Sequence, residues 1–127
     1  MSTNPIKAYE NVERATIPGR ELEASVLIRA AALLKHCQDN WKGDILDDNL
    51  RDALVYNQKV WSIFQGELVR PDHPLPLSLR QDILRLSLFI DQRILDIMAS
   101  PSPEKLNVII QINQNLAAGL RGLPQSS

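Results

Sequence analysis

The sequence has few of the residues on which several classes of protein depend. It holds one cysteine, five glycines and two each of Trp, Tyr and Phe in 127 residues. A single cysteine excludes an internal disulfide and suits a reducing compartment. Scarce glycine, combined with abundant Leu, Ile, Ala, Gln and Arg, favours helices. No alternating polar and apolar pattern of useful length predicts a strand.

The chain also lacks charge of one sign and long apolar runs. Fourteen basic and fifteen acidic residues leave a formal net charge of −1. The basic residues are dispersed and no aromatic platform lies among them, so we expect no direct nucleic-acid partner. No apolar stretch reaches the roughly 18 residues of a membrane span. The first ten residues lack a cationic start followed by an apolar run, so we expect no secretory signal and a cytoplasmic protein.

Residue combinations that carry catalysis or bind metals are missing as well. His36 and Cys37 are neighbours, but side chains about 100° apart on a helix do not form a nucleophile–base pair. His73 lies among prolines with no partner that the sequence identifies. No histidine–acid spacing suggests zinc, and the aspartates between residues 44 and 48 resemble helix caps more than a calcium loop. We therefore expect no enzyme, no cofactor and no metal site.

Proline and glycine divide the sequence into helical segments. The spacing of apolar residues between these breaks predicts helices over 5–15, 20–40, 47–66, 78–99 and 103–120. Gly43 is expected just past the end of the second segment. The predicted fold is an all-α, single-domain bundle spanning 1–127, with four long helices plus a short N-terminal helix. We expect largely antiparallel packing because the loops are short, and a disordered tail from about residue 123.

Polar residues mark the expected starts of three of these helices. Asp47 or Asp48 is the expected cap of the helix over 47–66. Ser78 with Gln81 fits a capping box at the start of the next helix. Ser102 precedes a proline and is expected to cap the last one.

Two asparagines lie where apolar residues are expected. Asn57 and Asn113 each fall in the middle of the apolar face of a predicted helix. A buried amide without partners costs about 1–3 kcal/mol, so something must satisfy both. They either bond each other, Tyr9 or a free backbone carbonyl at a helix end inside the bundle, which would fix its register, or line a groove and bind the backbone of an incoming segment.

The helix over 78–99 carries more apolar surface than one buried face needs. Its main face consists of Leu79, Ile83, Leu86, Ile90, Ile94 and Ile97. Leu84, Leu88 and Leu95 form a second stripe well over about 100° away, with Met98 between the two. Such a helix either lies between two neighbours or presents a groove for an amphipathic helix of a partner.

Four stretches give the sequence a family resemblance. They are RELE at 20–23 with RAA at 29–31, ALVYNQKVWSIF at 53–64, LP at 75–76 with SLFI at 87–90, and INQNLAAGL at 112–120. Together they resemble the FlaF family of flagellar biosynthesis regulators of alphaproteobacteria. The similarity extends from about residue 8 to residue 122.

The resemblance implies a small cytoplasmic protein that couples flagellin synthesis to filament export. FlaF-like proteins are associated with flagellin as a chaperone or secretion factor, and act alongside and partly against FlbT, which restrains flagellin translation. A regulator acting on flagellin mRNA and an adaptor binding only FlbT are the alternatives. Monomer and weak dimer both stay open.

The surface expected to bind the partner lies on the last three helices. Its candidate residues are Asn57, Trp61, Phe64, Leu84, Leu88, Asn113 and Asn115. The aromatic and leucine side chains would anchor an apolar helix, and the amides would bond its backbone.

Overall fold

The helices follow the segments between the Pro and Gly breaks closely. A computed structural model of the chain describes residues 19–122. Its helices are α1 (Gly19–Asp39), α2 (Asp48–Leu68), α3 (Leu77–Ala99) and α4 (Leu106–Gly122), and a 3₁₀ turn (Pro103–Lys105) precedes α4. No strand occurs within 19–122. The predicted all-α bundle of four long helices is confirmed, whereas the helix over 5–15 and the tail from 123 lie outside the described residues.

The first and last of these helices form the closest pair. Arg121 near the end of α4 makes an ion pair with Glu21 near the start of α1 at 2.9 Å. At the other end, the Gln38 amide donates to the Asn107 side chain at 2.7 Å. The two helices are therefore antiparallel. Both bury alanines, including Ala24 and Ala117, whose short side chains let helix axes approach.

The middle helices add to this pair in sequence order. α2 packs on α1 and α3 packs on α2. The Gln65 amide of α2 donates to Asp91 of α3 at 3.0 Å. α3 has little contact with α4 beyond their junction, where Lys105 makes an ion pair with Asp96 at 3.3 Å. Because α3 packs mainly against α2, much of its surface is exposed to solvent.

The starts of the helices confirm the predicted cap at Asp47, contradict the one at Ser78, and place Ser102 before a 3₁₀ turn and not directly before α4, which begins at Leu106. The Asp47 carboxylate accepts the Leu50 amide at 2.8 Å, so Asp47 caps α2. Ser102 occupies the cap position before the 3₁₀ turn, although its hydroxyl makes no capping bond. The capping box at Ser78 is wrong, because α3 already begins at Leu77 and its cap position is taken by the preceding proline.

The end of α1 differs from the prediction in how it is closed. The Asn40 backbone N–H and side-chain amide both donate to the His36 carbonyl of the last turn, at 3.1 Å and 2.9 Å. Gly43 does not close the helix. It lies four residues past Asp39 with φ of 85°, a left-handed conformation that glycine adopts without the steric cost of a Cβ.

Candidate partner-binding surface

The two central asparagines bond each other inside the bundle. Both are 0 % exposed, and the Asn113 Nδ2 donates to the Asn57 Oδ1 at 2.7 Å. The Asn57 Nδ2 donates in turn to the carbonyls of Ala53 at 2.9 Å and Ala30 at 3.2 Å. This confirms the expectation that the amides bond each other, whereas the carbonyls that Asn57 reaches lie within helices and not at a helix end as predicted.

A tryptophan extends this network. The Trp61 Nε1–H donates to the Asn113 Oδ1 at 2.9 Å, and the indole is 0 % exposed. Phe64 packs beside it with ring centroids 5.8 Å apart. The chain of bonds from Ala30 through Asn57 to Asn113 and Trp61 joins α1, α2 and α4. A sliding of any of these helices would break a buried hydrogen bond, so the network fixes their register.

These contacts correct part of the predicted partner-binding set. Asn57, Trp61 and Asn113 do not face a partner, because their polar groups are bonded within the protein and their side chains are fully buried. Phe64 is also buried, at 6 % exposure. Their role in this fold is to hold the core together.

The remaining members of the set lie at the surface but on different helices. Asn115 is exposed on α4, which packs mainly against α1. Leu84 and Leu88 lie on α3, where Leu84 is half-buried and Leu88 is 62 % exposed. The structure therefore brings the leucines together on one helix and does not add Asn115 to them.

The buried face of α3 differs from the predicted one at a single turn. Ile83, Ile90, Ile94 and Ile97 are buried as expected. Leu86, predicted on this face, is exposed, and Ser87 is buried in its place. The Ser87 hydroxyl donates to the Leu84 carbonyl at 2.6 Å, so a small polar side chain enters the core with its donor satisfied.

The opposite side of α3 carries what we call the leucine stripe, composed of Leu77, Leu84, Leu88 and Leu95. Three of these four side chains are strongly exposed, at 59 % for Leu77 and 62 % for both Leu88 and Leu95. At about 100° and 1.5 Å per residue, the four lie within about 40° of one another along about 27 Å of helix. The predicted stripe lacks Leu77 because the predicted helix begins one residue later than the observed one.

Further apolar side chains are exposed away from the stripe. Leu86 and Phe89 lie on another side of α3, and the Arg93 guanidinium lies 5.5 Å from the Phe89 ring centroid. Ile63 of α2 is 66 % exposed. These side chains do not repeat along one helix face, so the leucine stripe is the extended apolar feature of α3.

The single cysteine is not equipped as a nucleophile. The Cys37 thiol lies 3.5 Å from the Asn49 carbonyl, to which it donates. Burial, with the Asp47 carboxylate nearby, raises the pKa of the thiol, which disfavours the reactive thiolate.

Within residues 19–122 no group of three or more possible ligands could hold a metal ion. No helix of that part of the chain is long and apolar enough to cross a membrane.

Ion pairs neutralise much of the positive charge of the surface. The basic residues that make them are Lys35, Arg51, Arg70, Arg85, Arg93, Lys105 and Arg121. Each has a carboxylate within 4.0 Å. A surface on which cations lie beside carboxylates has little attraction for a phosphate backbone.

Comparison with known protein families agrees with the resemblance of the sequence. The model of the family described as Flagellar protein FlaF matches residues 5–120. The chain belongs to the FlaF family. No curated protein matches it, and no solved structure does. Membership of the FlaF family identifies a flagellar protein. The leucine stripe of α3 is its candidate surface for contact with a partner.

Proposed function

We propose that this FlaF protein binds flagellin as a chaperone or secretion factor and thereby couples flagellin synthesis to export. The observation that carries the proposal is the leucine stripe, with Leu88 and Leu95 each 62 % exposed on one helix. A flagellin monomer has amphipathic terminal helices that are unpaired before assembly. An apolar stripe on a rigid helix can cover such a segment and prevent premature polymerisation.

The spacing of the stripe suits a helical partner. Leu84 and Leu88 are one turn apart, and Leu77 and Leu95 lie two turns beyond them on either side. An amphipathic helix presents its own apolar residues at the same intervals, so its side chains can pack between those of the stripe. The α3 backbone is held in place by Ile90, Ile94 and other core residues, so little ordering is needed on this side of the contact.

The mutational test compares two exposed leucines of α3 with one exposed isoleucine of α2. Leu88→Asp and Leu95→Asp place a charge in the stripe, and Ile63→Asp places one at an equally exposed position of α2. Losing the burial of a leucine costs about 1.5–3 kcal/mol, so we expect flagellin affinity to fall at least about tenfold for the stripe variants. Ile63→Asp should bind like the unaltered protein in size-exclusion and titration experiments. Undiminished binding by both folded stripe variants would rule out this surface.

Direct action on flagellin mRNA is the first alternative, and the paired surface charges argue against it. Contacts to phosphates would give RNA binding that falls steeply with salt, whereas apolar docking to flagellin depends weakly on salt. A titration of both ligands between about 50 and 200 mM salt separates the two. Tight, salt-sensitive RNA binding with no flagellin complex would favour the alternative.

An adaptor that binds only FlbT is the second alternative. Pull-down with purified flagellin and with purified FlbT in separate experiments distinguishes it from the first proposal. A complex with flagellin alone supports the chaperone role, and a complex with FlbT alone supports the adaptor.

A further inference from the structure

We propose that, in the absence of a bound partner, the leucine stripe pairs with the stripe of a second copy of this chain in an antiparallel, two-fold arrangement. The observation behind the proposal is the spacing of the stripe. Leu77 and Leu84 are seven residues apart, Leu84 and Leu88 four, and Leu88 and Leu95 seven. The order of these intervals is therefore the same in both directions along the helix, and the midpoint of the stripe lies at the level of residue 86.

A two-fold interface brings one surface patch against the same patch of the other subunit, so each contact occurs twice. An axis perpendicular to α3 that crosses the stripe at the level of residue 86 along the helix places Leu77 opposite Leu95 of the partner subunit. The same axis places Leu84 opposite Leu88 of the partner subunit. Intervals of seven and four residues keep the seam on one side of both helices, as in a short coiled coil.

Polar residues along the seam favour the antiparallel orientation over the parallel one. Gln81 and Asp91 flank the leucines, also symmetric about residue 86, and one oxygen of Asp91 accepts from Gln65 of α2. The antiparallel arrangement places each Asp91 at the level of Gln81 of the partner subunit, which can donate a hydrogen bond to the other carboxylate oxygen. A parallel, in-register pair would instead oppose Asp91 to the partner's Asp91, which is destabilising. Arg85, beside the centre, is paired with Asp82 at 2.8 Å, which offsets repulsion between the two Arg85 side chains.

The size of the seam predicts a weak pair. Four leucines on each copy cover less area than the roughly 1,200–2,000 Å² that stable, specific interfaces bury. A weak dimer covers the apolar surface and dissociates when a partner binds the stripe more tightly. This competition between self-association and partner binding rests on the proposed function, because the proposed function assigns the same stripe to flagellin. Self-association itself is measured without flagellin, so failure of either idea is seen separately.

Sedimentation equilibrium of the purified full chain tests self-association. Between about 1 µM and about 1 mM, a range that includes weak interfaces, the mean mass should rise from 14.3 kDa toward twice that value. Leu88→Asp and Leu95→Asp should each require at least about tenfold more protein for the same rise, and Ile63→Asp should behave like the unaltered chain. A mass that stays at one chain, or a rise that both folded stripe variants retain, would overturn the proposal.

Cysteine cross-linking tests the orientation. In a Cys37→Ser background, Leu77→Cys and Leu95→Cys variants are oxidised alone and as a mixture. Antiparallel pairing predicts a disulfide-linked dimer between residues 77 and 95 in the mixture and none in either variant alone, where like positions are about 27 Å apart. Efficient cross-linking of each variant alone, without the mixed product, would overturn the antiparallel arrangement.

Discussion

The Asn113 side chain donates to the Asn57 side chain at 2.7 Å in the interior of the bundle, and this bond links α2 to α4. Each amide has another partner, Trp61 for Asn113 and the Ala30 carbonyl for Asn57. Polar groups in a low-dielectric interior interact strongly when paired and are costly when left unpaired. The stability of the fold should therefore respond sharply to changes at these positions.

Removal of the central amide should destabilise the protein more than its loss of volume alone. Asn113→Ala leaves the Trp61 N–H and the Asn57 carboxamide oxygen without their partners, so we expect a loss of about 2–4 kcal/mol in the free energy of unfolding. Urea unfolding followed by circular dichroism measures this. Asn115→Ala, at an exposed position of the same helix, is the matched control and should change stability by about 0.5 kcal/mol or less. Equal effects of the two substitutions would contradict the assigned network.

The two asparagines should be energetically coupled. Asn57→Ala removes the acceptor of the Asn113 amide, so the second substitution deletes a group that the first has already left unpaired. The double variant should be more stable than the sum of the two single losses predicts, by at least about 1 kcal/mol. A parallel cycle of Asn57→Ala with Asn115→Ala, which share no bond, should be additive within about 0.5 kcal/mol. Additivity in both cycles would show that the Asn57–Asn113 bond contributes little.

The positions of the helices could be predicted from sequence because local signals agree with one another. The ranges 20–40, 47–66 and 78–99 differ by at most two residues at either end from Gly19–Asp39, Asp48–Leu68 and Leu77–Ala99, whereas 103–120 begins three residues before Leu106–Gly122 because its first residues form a 3₁₀ turn. Glycine and proline interrupt the chain where the apolar period stops, and both act through backbone geometry that needs no tertiary information. That the asparagines must be partnered was equally predictable, since the cost of an unsatisfied amide holds in any fold.

The candidate surface depended on information that periodicity does not contain. Hydrophobicity favours Leu86 over Ser87 for a buried position, yet the packing of the helices buries the serine, whose hydroxyl donates to a carbonyl of its own helix. Which of two apolar stripes is covered depends on the neighbours that each helix acquires. The sequence therefore indicates that Leu88 and Leu95 lie outside the main apolar face of α3. Whether they are exposed depends on how the helices are arranged in the fold.

The connection between α2 and α3 should depend on the forked shape of one guanidinium. Arg80 donates to the carbonyls of Arg70 and Leu75, both at 3.0 Å, and lies 3.4 Å from that of Leu68. A lysine ammonium is a compact charge that cannot reproduce this fork, so Arg80→Lys should cost about 1–2 kcal/mol in the free energy of unfolding. Arg85→Lys, which alters an exposed ion pair of the same helix, should cost close to nothing. Equal stability of both variants would show that the carbonyl contacts do not hold this loop.

The same loop should give the protein a dependence on mildly acidic pH. The His73 Nδ1 accepts the Leu75 amide at 3.2 Å, which requires an unprotonated nitrogen. Burial, together with the positive charge of Arg80, lowers the pKa of the imidazole in the folded state. The unfolded chain, with an imidazole pKa of about 6.5, therefore binds the proton more readily. The stabilisation is fully present above pH of about 6.5 and is lost as pH falls through that value toward the folded pKa.

Unfolding by urea at a series of pH values from about 7.5 to about 5 measures this loss, since the range spans the ordinary imidazole pKa. His73→Asn keeps an oxygen that can accept the Leu75 amide but cannot be protonated in this range, so part of the decline in stability toward low pH should disappear. The unaltered protein, measured over the same pH series, is the reference for this comparison. If His73→Asn leaves the pH profile unchanged, protonation of this ring does not contribute to stability, and the bond to Leu75 is not the pH-sensitive contact.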